Sequence, residues 1–150
     1  MTLEKFQEDL KEALKKGENI RRDTIRLILS ALNYSQIAKG ATLEEADVLA
    51  VLQKEATRRR ESIEAFSKGN RPDLVAREEA ELKVILGYLP PSLTRDEIVQ
   101  AARQAIAESG VQGPRDMGKV MRLLMPQLKG RAWGQEVSTI VQELLSGKQV

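Results

Sequence analysis

Arg115, Lys119 and Arg122 stand four and three residues apart, Lys129 and Arg131 bracket Gly130, and the only Trp of the chain, Trp133, follows closely. On a helix the first three share one face, while Met117, Val120, Met121, Leu124 and Leu128 spread over the opposite one. One side packs and the other offers cations. A Lys-Gly-Arg turn running through Gly134 into a further helix exposes backbone N–H groups at a positive helix end, which suits an anion. The Trp133 indole can stack on a base or sugar, and the cations match phosphodiester oxygens. Between residues 115 and 131 five cations stand against Asp116 alone. Each feature has an ordinary explanation, as a solvated face, a helix cap and a lid on a small core. Their coincidence within about seventeen residues favours a binding surface.

Other chemistry is excluded by what is missing. The chain has no Cys and no His, so there is no thiolate nucleophile, no imidazole base for a serine triad, no ordinary zinc site and no disulfide. No catalytic residue, metal or cofactor is expected. Gly113 to Lys119 has the G-x-x-x-x-G-K spacing of a phosphate-binding loop. Val120 replaces the magnesium-binding hydroxyl, however, Pro114 removes an N–H, and the preceding segment reads as helix where a strand is required. Arg58, Arg59 and Arg60 lie near Glu55, Glu61 and Glu64 at helical spacing, which predicts a solvated, salt-bridged face with Lys54 and Arg58 as an auxiliary contact. Arg21, Arg22 and Arg26 oppose the dipole near the start of their helix, hinting at a use that spacing does not name.

The elements that must position these residues are all helical. The 150 residues are 41% hydrophobic and 31% charged, enough for one good core plus a satellite. Apolar residues recur at three and four, without sustained alternation. The first stripe runs Leu3, Phe6, Leu10, Ala13, Leu14 and stops at Gly17. The second runs Ile20, Thr24, Leu27, Ile28, Ala31, Ile37 and stops at Gly40. The third opens on a Thr42 and Glu45 capping box and runs to Phe66 before Lys68-Gly69, and a fourth spans Pro72 to about Tyr88. Pro90-Pro91 breaks the chain and Thr94 with Glu97 restarts it. Three short helices follow, ended by Gly110, spanning about Pro114 to Lys129, and spanning about Gln135 to Leu145.

The fold class expected is therefore all-α, with a four-helix N-terminal domain at residues 1–91 joined by the Pro-Pro segment to a small three-helix domain at residues 92–150. Residues 1–91 carry equal numbers of acids and bases, so the net charge of +2 belongs to the second part. The absence of a membrane-length apolar run and an acid-containing amphipathic start predict a cytoplasmic protein without a membrane partner.

RRDTIRLILSAL, RPDLVAREEAEL, YLPPSLTRDEI and DMGKVMRLLMPQLKGRAWGQEV, in that order, closely resemble the YqeY family over essentially the whole chain. That family is similar to the C-terminal tail of the B subunit of tRNA-dependent amidotransferases, which convert Glu-tRNA(Gln) or Asp-tRNA(Asn) to the amides. The resemblance implies a two-part helical fold and tRNA contact, mainly through the smaller part. It places RNA contacts on Lys119, Arg122, Lys129, Gly130 and Arg131, to which the charge pattern adds Arg115 and Trp133. The chain departs from the family's turn at Trp133, where an acidic or small polar residue is usual. Carbon–nitrogen ligase activity with glutamine as amido-N donor attaches to the family through the whole complex, whose catalytic portions this chain lacks. The expected role is a tRNA-binding helper working alone or with an aminoacylation or amidotransferase complex. The alternative is a noncatalytic protein-interaction module docking on a partner subunit.

Overall fold

Glycine and proline punctuate the helices. A computed structural model describes residues 2–128 and 130–147. Among these, seven α-helices and one 3-10 turn form and no strand does: α1 Leu3–Lys16, α2 Asn19–Lys39, α3 Glu45–Lys68, α4 Pro72–Leu86, α5 Arg95–Ser109, the 3-10 turn Pro114–Asp116, α6 Met117–Leu128 and α7 Gly134–Leu145. The chain is all-α. Contacts group it into two units that divide between Leu89 and Pro90, so four helices fall in the first and three in the second.

In the first unit, Gly17 ends α1 at φ 68°, a left-handed conformation that glycine adopts without a Cβ clash. The Lys68-Gly69 stop works differently from the expectation: Gly69 has φ −82°, and the left-handed residue is Asn70 at φ 54°. Asn tolerates that region better than other side chains. The expected Thr42 and Glu45 box is also displaced. The N-cap of α3 is Glu44, whose N–H donates to Asp47 Oδ2 at 2.8 Å. Asp47 in addition meets Lys39 Nζ at 2.5 Å, tying the start of α3 to the end of α2.

Every helix of this unit contributes to its core: Phe6 from α1, Ile25, Ile28 and Leu32 from α2, Leu52 and Ala56 from α3, and Ile85 from α4. The α2 stripe was expected to bury Leu27 and Ile37, but these are 47% and 80% exposed. A helix of 21 residues cannot turn its whole apolar pattern toward one core, and the buried seam follows Ile25, Ile28 and Leu32 instead. Beyond α4, Tyr88 donates its hydroxyl to Asp9 Oδ2 at 2.5 Å and stacks obliquely on Phe6 with ring centroids 4.7 Å apart. The exit of the first unit is thereby fastened to α1.

The second unit has its own core, with Ile98, Ala102 and Ala105 of α5 packed on Val120, Leu124 and Leu128 of α6 and Val137, Ile140 and Val141 of α7. Thr94 and Glu97 form the expected capping box: the Glu97 N–H donates to Thr94 Oγ1 at 3.2 Å and the Thr94 N–H to Glu97 Oε2 at 2.8 Å. The expected helix from Pro114 to Lys129 is a 3-10 turn followed by α6, and Lys129 lies outside the described residues.

Candidate nucleic-acid interface

Val120, Leu124 and Leu128 recur every four residues along α6 and are 0–2% exposed. With 3.6 residues per turn, Lys119 and Arg122 then fall on the far side, and both are exposed. Arg115 precedes them on the 3-10 turn and is exposed too. No acidic group lies within ion-pair distance of any of the three among the described residues. Arg95 of α5, by contrast, reaches Glu143 at 3.5 Å. Three uncompensated cations on one exposed strip can take phosphate oxygens without first giving up an internal partner.

Pro126 also lies on this side, inside α6 and exposed. It denies the Arg122 carbonyl its intrahelical N–H, and the solvent-facing side is where water meets that loss at least cost.

The turn after α6 does other work. Gly130 takes φ 71°, and the Arg131 N–H then donates to Leu128 O at 2.8 Å. The Arg131 carbonyl accepts from the Leu93 N–H at 2.8 Å, and its Nε donates to Pro91 O at 3.2 Å. Arg131 therefore clamps the segment after the prolines, although its side chain stays exposed. Trp133 is the half-buried N-cap of α7 and makes a further contact, so it is not a free stacking plate. The expected anion cradle at the start of α7 is weakened: Glu136 already sits in the first turn and Gln135 has a contact of its own. Lys119 and Arg122 share the exposed side of α6, Arg115 is exposed on the 3-10 turn before it, and Gly130, Arg131 and Trp133 belong to the stretch between α6 and α7. An exposed cation of the same unit, Arg103 on α5, has no ion-pair partner among the described residues either. No motif surrounds it, so spacing gave no reason to single it out.

The remaining basic clusters resolve differently. Arg21 pairs with Glu18 at 3.1 Å and Glu12 at 3.7 Å, and Arg22 with Asp23 at 2.9 Å. Arg59 is half-buried, not fully solvated: its side chain is 11% exposed and meets Glu55 at 3.4 Å, Glu81 at 3.0 Å and Glu78 at 3.6 Å. The Gly113 to Lys119 spacing follows α5 and opens a 3-10 turn, so no strand leads into it.

A family model described as Yqey-like protein matches residues 3–145. The chain belongs to the YqeY family. Membership supports a domain like the tail of the amidotransferase B subunit. Among relatives, the Altered inheritance of mitochondria protein 41, mitochondrial, of Pyrenophora tritici-repentis is 35% identical over 152 residues, covering 99% of this YqeY-family chain and 83% of that protein. The protein of the same name from Lachancea thermotolerans is 41% identical over 85 residues, 56% of this chain and 46% of its own length. That from Kluyveromyces lactis is 31% identical over 123 residues, 77% of this chain and 66% of its own. The match thus spans about half of the Lachancea protein.

These names overturn the expectation of a cytoplasmic protein, since the relatives are called mitochondrial. The chain lacks long apolar runs and its first helix contains acids. A folded protein shows both features in either compartment. No described helix is long and apolar enough to cross a membrane.

Proposed function

We propose that this YqeY-family chain is a tRNA-binding helper, with the basic strip of α6 and its preceding turn as the contact surface. The observation that carries the reading is the exposure of Arg115, Lys119 and Arg122 without an acidic partner among the described residues, opposite a fully buried face. Such a strip neutralises backbone phosphates and selects for charge and shape more than for base sequence. Family membership supports tRNA as the polyanion, because the amidotransferase tail that the family resembles works on charged tRNA. Arg131 contributes by holding the turn against Pro91, and Trp133 by starting α7. Amide transfer with glutamine as donor belongs to the complex that such a tail serves. With neither Cys nor His, this chain has no thiolate nucleophile and no imidazole base for releasing ammonia from glutamine.

The test is binding of labelled tRNA and of an RNA duplex of equal length to the purified chain, titrated against salt. Affinity for tRNA above that for the duplex, falling as salt rises, is the expected result. Equal affinity for both would leave a nonspecific polyanion surface, and salt-independent affinity would remove the strip from the account. In a parallel assay the pure chain releases no ammonia from glutamine.

A further inference from the structure

Besides the seam that enters the core, α2 carries a second apolar line. Leu27, Ala31, Tyr34 and Ala38 recur at helical spacing, roughly 120° around the helix from Ile25, Ile28 and Leu32. Leu27 is 47% and Tyr34 77% exposed, and neither belongs to the core of this unit. Ala50 and Val51 of α3 face this line across an open groove of about 930 Å³. Between the two large side chains the α2 wall is small, at Ser30 and Ala31. From Leu27 to Ala38 the line is about 16 Å long at 1.5 Å per residue.

The two ends of the groove differ in the charge they show to solvent. Where α2 ends and α3 begins, one cation stands against two acids: Lys39 pairs with Asp47 at 2.5 Å and lies close to Glu44. From the middle of α3 to the opposite end, Lys54, Arg58, Arg59 and Arg77 stand against Glu55, Glu78 and Glu81. The acids of that end are turned inward, since Glu55 and Glu81 are buried and share Arg59 with Glu78. Lys54 and Arg58 are exposed, and Lys54 has no ion-pair partner among the described residues. An approaching molecule therefore meets cations at one end and acids at the other.

We propose that this groove is the interface between two copies of the chain, related by a two-fold axis that runs their α2 helices antiparallel. Such an axis sets each end of the groove against the opposite end of the other copy, so Lys54 and Arg58 approach the acids at Asp47 and Glu44. An occupant of a single charge sign suits one end and is opposed at the other, whereas a second copy answers both. With the axis passing between Ser30 and Ala31, Leu27 of each copy meets Tyr34 of the other, and the small residues between them let the helices approach. A parallel pairing would instead stack Leu27 on Leu27 and set like charges together. The face is about 16 Å long and about 20 Å, or two helices, wide. That is below the roughly 800 Å² per partner of a standard interface, so the dimer is weak and reversible.

The test is sedimentation equilibrium of the full chain from about 1 μM to about 1 mM. A concentration-dependent dimer is expected, and Leu27→Glu or Tyr34→Lys alone should weaken it about tenfold. The chain carrying both substitutions should regain most of the affinity, because the new carboxylate of each copy then meets the new ammonium of the other. Both positions are exposed, so these variants should keep their fold, which circular dichroism checks. Lys54→Glu with Arg58→Glu should weaken the dimer about fivefold. The chain has no Cys, so Leu27→Cys mixed with Tyr34→Cys should cross-link on mild oxidation in greater yield than either variant alone. A chain that stays monomeric throughout, with or without a different protein in the groove, would overturn the proposal. So would a dimer indifferent to Leu27→Glu and Tyr34→Lys, or Leu27→Cys cross-linking best to itself.

Discussion

Asp9 is a buried carboxylate that keeps its charge. Burial alone would push its carboxyl up, but the Tyr88 hydroxyl and the Lys5 ammonium, 3.1 Å away, outweigh that and hold it below its ordinary value. A lowered folded-state value means that Asp9 stabilises the fold above about pH 4, and that this contribution is lost as pH falls. Tyr88→Phe leaves the carboxylate one donor short and should cost about 1–3 kcal/mol at neutral pH, measured by urea unfolding. Glu78 has the opposite sign. Burial first, and then Glu81, push its carboxyl up, so its ionisation works against folding as pH rises through the carboxylate range. Glu78→Gln should therefore gain stability relative to the parent between about pH 4 and pH 7, a trend that thermal melts at several pH values will show. Arg59→Met strands three carboxylates without their shared cation and should cost about 3–5 kcal/mol.

At the scale of helices, Thr94 starts α5 by closing a reciprocal box with Glu97. Thr94→Ala should destabilise the second unit by about 1 kcal/mol while Thr94→Ser stays close to the parent. Trp133, the only Trp, belongs to that unit, so its fluorescence during urea unfolding reports the effect. This box was legible in the sequence because both partners lie within three residues of each other. The box on α3 was not, because Asp47 also answers Lys39 at the far end of α2, and only the folded chain brings those together. The basic strip was legible for the same local reason: α6 repeats its apolar residues at helical spacing, so its reverse face could be named. The hydrogen bond from Arg131 to the Pro91 carbonyl was not legible, because the two residues lie 40 apart in sequence. The Arg59 cluster escaped notice likewise, since Glu78 and Glu81 arrive from α4.

For the whole molecule, the net charge of +2 lies entirely in the second part and is unevenly placed within it. The first 91 residues carry as many acids as bases, whereas the stretch from 115 to 131 concentrates five cations against one acid. A charge distribution of this kind favours a polyanion near residues 115–131 over the first unit. The most direct test of the basic strip is the slope of log affinity for tRNA against log salt, compared between the parent and Lys119→Ala with Arg122→Ala. Both residues are exposed and outside the core, so the double variant should keep its fold. The account predicts weaker binding and a slope shallower by up to about two. An unchanged affinity and slope in the folded double variant would contradict it.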